Sequence, residues 1–459
     1  MEKKLKNTED EGKTSRFSRK DFLNSAMMLG VSVGGAKLMA GCGFKPDPVL
    51  DQVDAEPGPA FTPTAASQPS LYDPVENLFD TSFYWYCSAC GKQFRNADHL
   101  KEHAYQEHAW RLPSIKRVDE STYTQYLVEP IKQFDERNTA FSRALWDQAY
   151  RSQIMEAMTK APKRTLEDLE GLALIAGGIY VDSTAGSFHP DYTGYMGRVS
   201  DYGGLYGWDD PVNPEKFPVP SAEWMTERIK QVARLYGANL VGICEVDRRW
   251  VYSHTFERAT QRHIKLNIPY KYAIVIGTEM SWSHLNDSPG AEASAVTALG
   301  YSRMAILSAS VAKYIRSLGY PAIPSGNDTA QNIPLAIDAG LGELGRNGLL
   351  LTPEYGARVR LCKVFTDLPL IPDKPIDFGI QEHCESCRIC SHSCPVNAIQ
   401  RGERTTEITS ISNRPGMNRW VVDVGRCLLY WRENGMDCSN CVAVCPWAIH
   451  SQRNWLQYL

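Results

Sequence analysis

The chain has 459 residues, enough for two or more domains with cores of their own. Its formal net charge of -4 gives no electrostatic footprint for nucleic acid, so no nucleic-acid partner is expected. The 13 cysteines are too many for an ordinary cytosolic enzyme and direct attention to metal centres.

Residues 1–42 have the layout of an export signal. The basic stretch Ser18–Leu23 precedes a mildly apolar run, Met27–Ala40, which is rich in small residues. The stretch resembles a twin-arginine signal in which Arg19-Lys20 replaces Arg-Arg. A short arm leading into a buried helix is the alternative. Cys42 follows a lipoprotein-like cleavage box, so it is either a lipidation site or an ordinary free cysteine.

Residues 43–84 are rich in Pro, Ala, Asp and Ser and are predicted to be a linker or extended segment. Residues 85–110 then match the C-x2-C-x12-H-x4-H zinc-finger pattern. Two thiolates on a hairpin and two imidazoles on one helix face close a tetrahedral Zn²⁺ site. A single finger with an acidic helix makes too few phosphate contacts for DNA binding, so a structural staple is expected. The predicted zinc ligands are Cys87, Cys90, His103 and His108.

Residues 111–375 are predicted to form an α/β domain around a central sheet. Helical patterns cover 134–161, 222–237 and 296–318, and strand patterns cover 239–244, 272–277 and 358–370. A glycine-rich segment, Gly340–Gly356, leaves backbone N–H groups available to a phosphate or amide tail.

Residues 376–459 carry two cysteine runs. The first is C-x2-C-x2-C-x3-C-P. The second is a single cysteine, then ten intervening residues, then C-x2-C-x3-C-P. In such runs the proline-flanked fourth cysteine ligates the other cluster. A zinc or disulfide framework is the alternative. The spacing predicts one [4Fe-4S] cluster on Cys384, Cys387, Cys390 and Cys445, and a second on Cys394, Cys427, Cys438 and Cys441.

Several segments together resemble the corrinoid-dependent reductive dehalogenases. The resemblance is carried by Arg248–Ser253, Gly340–Gly356, Phe365–Pro369 and the second cysteine run with its long gap. It implies a nitroreductase-like cobalamin-binding domain followed by a ferredoxin-like domain with two [4Fe-4S] clusters, within a mixed α/β (α+β) fold. The implied corrinoid contacts are Gly340, Gly342, Gly345, Gly348, Thr352 and Tyr355.

The same resemblance implies a tyrosine proton donor supported by an arginine. By local motif and chain order, Tyr252 is the expected donor and Arg303 the expected cation. The alternatives are that Tyr252 is an ordinary core tyrosine and that Arg303 is paired on a helix face.

The expected function is reductive dehalogenation, in which R–X, two electrons and a proton give R–H and halide. The implied partners are a halogenated organic substrate, an upstream electron donor and a small hydrophobic membrane-anchor protein, at the outer face of the cytoplasmic membrane. An epoxyqueuosine-reductase-like enzyme acting on tRNA is one alternative. A non-catalytic electron-transfer protein is another, although it leaves the α/β region without a purpose.

Overall fold

The computed structural model describes residues 115–450, apart from 129, 167, 186–204, 209 and 258–260, together with two short strands near the N-terminus. Contacts divide the chain into residues 38–112 as one unit and the remainder as the other. In the smaller unit the structure describes an antiparallel pair, β1 (Trp85–Tyr86) and β2 (Gln93–Phe94). The export signal, Cys42 and the four predicted zinc ligands lie outside the described residues.

In the larger unit the first described elements are β3 (Lys116–Arg117) and two turns of 3₁₀ helix, Thr124–Tyr126 and Glu136–Asn138. Helices α1 (Ala140–Trp146), α2 (Gln148–Lys160) and α3 (Leu169–Ala185) follow. The predicted continuous helix over 134–161 is therefore wrong. Asp147 interrupts it in an extended conformation, where its carboxylate accepts from the N–H of Tyr150 and caps α2.

Four strands form the central sheet in the order β4 (Leu240–Glu245), β7 (Tyr272–Glu279), β11 (Val359–Thr366), β8 (Ala322–Ser325), and every neighbouring pair is antiparallel. The remaining elements of this region are α4 (Ala222–Leu235), a 3₁₀ turn (Arg248–Trp250), β5 (His254–Glu257), β6 (Arg262–Lys265), α5 (Trp282–Leu285), α6 (Ala291–Ser317), α7 (Asn332–Asp338), β9 (Glu343–Leu344) and β10 (Leu350–Leu351).

Both faces of this sheet are buried, which explains its nearly continuous apolar strands. In β7, Ala273 and Val275 pack with α7 and Trp250 on one face. Ile274 and Ile276 pack with α4 and α6 on the other face. Helix α6 has the length and hydropathy of a membrane span, but 61% of that window is buried within the protein. The apolar composition of α6 is thus accounted for by core packing.

The C-terminal segment contains β12 (Ile376–Asp377) and the helices α8 (Ile380–Cys387), α9 (Ile389–His392), α10 (Val424–Asn434), α11 (Asn440–Ala443) and α12 (Pro446–His450). Strand β12 pairs with β3, and α10 packs on α1 and α2. At the start of β11, buried Arg358 donates to the carbonyls of Met280 and Ala448. These contacts hold the cysteine-bearing helices against the end of the sheet. The mixture of helices and strands confirms the predicted mixed α/β class.

Candidate functional site

The first group of cysteines surrounds one cavity. Helix α8 ends at Cys387, and Arg388 takes a left-handed conformation (φ +52°) before α9 begins. This tight turn directs three thiols of the first run toward the same space, and the fourth thiol comes from the start of α12. The thiols that line the cavity belong to Cys384, Cys387, Cys390 and Cys445.

The remaining four cysteines are also close to one another. Burial, together with the charges of Cys438 and Cys394, raises the pKa of the Cys427 thiol to about 12. Burial likewise raises the pKa of the Cys441 thiol, and the charges of Cys427, Cys438 and Cys394 contribute to that increase. Because thiols with raised pKa values keep their protons, metal binding must displace those protons. The charge of Cys390, a member of the first group, also raises the pKa of Cys441, so the two groups of cysteines are neighbours.

A buried arginine lies beside the first cavity. Arg346 is 1% exposed and lines that cavity. Its guanidinium donates to the carbonyls of Cys384 (2.8 Å) and Glu385 (3.1 Å), and to those of Gln400 and Gly402 (both 3.0 Å). All of these acceptors are backbone oxygens. The positive charge therefore faces the thiols directly, while the same bonds hold the cysteine-bearing loop in place.

A second polar group lies on the α6 face of the sheet. Arg360 donates to the phenol oxygen of Tyr301 at 3.3 Å, and the guanidinium carbon is 4.6 Å from the centroid of the tyrosine ring. The amide of Asn327 donates to the same phenol oxygen at 3.2 Å. Gly300 makes this approach possible, since a Cβ there would lie 2.6 Å from Cγ of Arg360. Tyr301 is partly buried and Asn327 is exposed, so the phenol lies at an accessible edge.

The charge of Arg360 also acts on the segment that bears the cysteines. Its positive charge lowers the pKa of the buried Asp437 carboxyl, although burial dominates and raises that pKa to about 6. Asp437 immediately precedes Cys438. The Nε of Arg360 is buried, and none of the described groups accepts a hydrogen bond from it. The exposed amide of Asn327 has a second N–H beyond the one it donates to Tyr301, and such a donor fits the amide carbonyls at the rim of a corrinoid.

A rigid loop presents Asn327. Buried Lys363 donates to the carbonyls of Gly326 and Asp328 (both 2.8 Å) and to the side-chain oxygen of Asn332 (2.7 Å). Burial lowers the pKa of Lys363 to about 8, and the nearby Asp328 carboxylate opposes that decrease. The Lys363 bonds fix the backbone on both sides of Asn327, which leaves its side chain free to face outward.

Tyr252 occupies a different environment. It is 6% exposed, its N–H donates to the carbonyl of Thr329, and its ring lies 6.3 Å from that of Phe134. The nearby cation is Arg414. Burial lowers the pKa of Arg414 to about 10, and the Tyr252 phenol opposes that decrease. Arg414 also stacks on Trp250, at 4.7 Å from the ring centroid.

The structure places Arg303 apart from Tyr252, and the roles of the two residues stay predictions. Arg303 is exposed on α6, where it donates weakly to the carbonyl of Glu279 at 3.5 Å. Helix α6 packs on one face of the sheet, whereas Trp250 and Val251, which precede Tyr252, pack on the other. Chain order could not reveal this separation by the sheet. The phenol–guanidinium pair on the α6 face is Tyr301 with Arg360, which the sequence reasoning missed.

The glycine-rich segment is packed against the chain itself. Gly340 has φ +73°, and a Cβ there or at Gly342 would collide with the carbonyl oxygens of Lys374 and Leu351, respectively. A side chain at Gly345 would meet that of Leu351, and one at Gly348 would meet Val422. The close approach that these glycines permit is thus between segments of this protein. Their role as corrinoid contacts stays a prediction.

The last two predicted corrinoid contacts also have local partners. The Thr352 hydroxyl accepts from the N–H of Tyr355 at 3.0 Å and stabilises the turn that ends at Gly356. The Tyr355 ring packs under the guanidinium of Arg358, 5.2 Å from its carbon. Both residues therefore support the junction between the sheet and the C-terminal helices.

Comparison with known proteins agrees with this arrangement. Residues 383–448 match the 4Fe-4S double cluster binding domain. The chain is 36% identical to the tetrachloroethene reductive dehalogenase of Sulfurospirillum multivorans over 330 residues, which cover 64% of this chain and 65% of the relative. It is 37% identical to a tetrachloroethene reductive dehalogenase of Desulfitobacterium hafniense over 292 residues, which cover 53% of each chain. The chain thus spans between half and two thirds of the length of these relatives.

Similarity to solved structures points the same way. A catabolic reductive dehalogenase superposes with a TM-score of 0.56 at 25% identity, over 73% of this chain and 44% of that one. A structure described as suggesting a mechanism for B12-dependent dehalogenation gives a TM-score of 0.54 at 26% identity over the same shares. An epoxyqueuosine reductase of Aliivibrio fischeri is 35% identical over 115 residues, 25% of this chain and 29% of the relative. The chain is therefore a homologue of the reductive dehalogenases and carries a double-cluster domain at its C-terminal end.

Proposed function

We propose that this chain, a homologue of the reductive dehalogenases, removes halogen from an organohalide as R–X + 2e⁻ + H⁺ → R–H + X⁻. The observation that carries the proposal is that Arg360 donates to the phenol of Tyr301 and lies close enough to Asp437, beside Cys438, for its charge to lower the pKa of that carboxyl. A proton donor and an electron supply thereby meet at one edge of the molecule. Two relatives named for tetrachloroethene make chlorinated ethenes the first substrates to test.

Electrons enter through two [4Fe-4S] clusters. The four thiols around the first cavity would hold one cluster, and the other four cysteines would hold the second. Each cluster passes single electrons, and their proximity makes transfer between them efficient. Arg346 stabilises the extra negative charge of the reduced first cluster, because its own charge faces no carboxylate among the described contacts.

The residues around Tyr301 are suited to a corrinoid. The second N–H of the exposed Asn327 amide would donate to its rim. A bound corrinoid would supply a metal centre that collects two single electrons and delivers them to the substrate. The relatives' relation to B12-dependent dehalogenation supports this cofactor.

Tyr301 is our candidate proton donor. Its hydroxyl would deliver the proton to the carbon that loses halide, and the hydrogen bonds from Arg360 and Asn327 would pair the charge left on the oxygen. Tyr252 remains the donor predicted from the local motif. Its burial argues against direct contact with a substrate, and parallel substitutions distinguish the two tyrosines.

The N-terminal features complete the proposal. A Tat-like signal would export the loaded protein to the outer face of the cytoplasmic membrane. There it would work with a small hydrophobic anchor protein and an upstream electron donor. Zinc on Cys87, Cys90, His103 and His108 would staple the insert between the signal and the catalytic region.

Chloride release is the direct test. Anaerobically purified protein, reconstituted with iron, sulfide and cobalamin, should release chloride from tetrachloroethene with a reduced viologen as donor. The matched control is the same protein with both clusters but without cobalamin, which should release none. If fully loaded protein releases no halide from chlorinated ethenes, alkanes or aromatics, the proposal is wrong. Turnover of an epoxyqueuosine-containing tRNA would instead support the alternative enzyme.

A further inference from the structure

Three side chains that the proposed reaction does not use converge on one small space. Asp135, His254 and His263 each offer one ligand atom, and these atoms all lie within 4.8 Å of one another. Nε2 of His263 lies 2.8 Å from a carboxylate oxygen of Asp135, and the two imidazole rings stack with centroids 4.4 Å apart. Asp135 and His254 are partly buried and His263 is exposed, so an ion could enter from solvent.

The register of a hairpin brings the two histidines together. Strands β5 and β6 are antiparallel, with His254 opposite Lys265 and His263 opposite Phe256. His254 and His263 are therefore diagonal neighbours on one face of the hairpin, where side chains of this length reach each other. Two imidazoles on one rigid face are a common start of a metal site.

The next residue along the chain, Glu136, holds the Asp135 carboxylate beside this hairpin. Glu136 is 2% exposed, and its side chain accepts from the Thr255 hydroxyl at 2.8 Å and from the N–H of Phe256 at 3.1 Å. Thr255 lies between the residues of the histidine face, so Glu136 anchors the segment from the opposite side of β5. This anchor keeps Asp135 beside the two imidazoles without any ion present.

Two further polar atoms of these side chains, one on Asp135 and one on His254, have partners of their own. One carboxylate oxygen of Asp135 accepts from the N–H of Arg137 at 2.9 Å, which leaves the other oxygen directed at His263. Nδ1 of His254 lies 3.1 Å from the hydroxyl of Ser253, which leaves Nε2 of that ring for a ligand. Outer partners of this kind orient the ligands of metal sites.

From this geometry we propose that Asp135, His254 and His263 bind a divalent d-block cation of the Zn²⁺ type. Two imidazoles and one carboxylate match the donor preference of zinc and exclude calcium and magnesium, which favour oxygen ligands. A tetrahedral ion places neighbouring ligand atoms about 3.3 Å apart, so the three side chains need only small rotations. Solvent would fill the fourth position. The ion would clip the segment before Glu136 to the β5–β6 hairpin and would not take part in dehalogenation.

Zinc stoichiometry tests the site in the full-length, cluster-loaded protein. Wild-type protein and a His254→Ala/His263→Ala variant are equilibrated anaerobically with Zn²⁺ in competition with a chromophoric chelator. We expect the wild type to bind one more zinc per chain, and zinc to raise the midpoint of thermal unfolding only in the wild type. Zinc bound by the N-terminal insert contributes equally to both proteins and cancels in the difference.

Two further variants make the test specific. His284→Ala removes an exposed histidine whose ring lies 2.8 Å from the Ser281 hydroxyl and should leave zinc binding unchanged. Asp135→Asn keeps the shape of the site but weakens the ligand, so zinc affinity should fall by about 10- to 100-fold with iron content unchanged. Equal zinc stoichiometry and affinity in the wild type and in both site variants would overturn the proposal.

Discussion

Two tyrosines, each beside an arginine, lie in different regions of the molecule. Tyr252 with Arg414 is buried next to the face of the sheet that α7 covers, while Tyr301 with Arg360 lies on the α6 face beside the exposed Asn327. The chemical pair is the same in both places. Only the second is both accessible and close enough to the cysteine-bearing segment for its arginine to lower the pKa of Asp437. Accessibility and connection, rather than the pairing itself, therefore distinguish a candidate proton donor from a core residue.

Removing the hydroxyl of each tyrosine in turn should reveal the largest difference in turnover. Tyr301→Phe should lower the rate of halide release by about 100-fold or more, because a positioned acid contributes that much to proton transfer. Turnover is measured anaerobically, with cobalt and iron contents determined on the same samples. Tyr252→Phe is the matched control and should retain turnover within about twofold. A large loss in Tyr252→Phe with none in Tyr301→Phe would reverse the assignment.

The next largest effect on turnover is expected from the arginine that contacts Tyr301 in space, Arg360, compared with the arginine two residues along the chain, Arg303. Arg360→Gln should reduce turnover by about 10- to 100-fold, since a charge-assisted hydrogen bond to the phenol is lost. Arg303→Gln should have little effect, because that side chain is exposed and bonds weakly to one carbonyl. The ratio of the two rates is the measurement. Equal losses would mean that Arg303 acts as the sequence predicted.

The neutral donor to Tyr301 should matter less. Asn327→Ala removes one amide hydrogen bond from the phenol, so turnover should fall by roughly 3- to 10-fold. Because Asn327 is exposed and Lys363 holds the loop through backbone carbonyls, thermal stability should stay near that of the wild type. A drop in the unfolding midpoint with unchanged turnover would assign Asn327 to the fold alone.

The smallest expected effect concerns stability at the buried tyrosine. Tyr252→Phe removes a buried hydroxyl beside Arg414 and should lower the free energy of unfolding by about 1 kcal/mol. Denaturant unfolding, followed with the clusters intact, measures the change. Tyr301→Phe, at a partly exposed position, should lose less. The opposite order of the two losses would contradict the contrast in burial.

Much of the cysteine chemistry could be predicted from the sequence. The spacing of the two runs groups the cysteines in the same way as the cavity at Cys445 does, because cluster ligands within a run are local and the proline-flanked cysteine crosses over. Three of the four central strands and the long helix were also predictable from their apolar runs, to within about five residues at their ends. The fourth strand, Ala322–Ser325, was not predicted. The break at Asp147 was not, since a helix-period pattern continues through it.

The sequence by itself determined which residues could bind iron, since thiolates a few residues apart meet wherever the chain turns tightly. Only the tertiary structure decided which tyrosine meets which arginine. Tyr301 lies on a helix and Arg360 on a strand, and their contact depends on how that helix crosses the sheet at Gly300. The sheet likewise lies between Arg303 and Tyr252. The glycine-rich segment packs against the backbone at Lys374 and Leu351. Contacts between distant segments follow from packing, which local motifs do not encode.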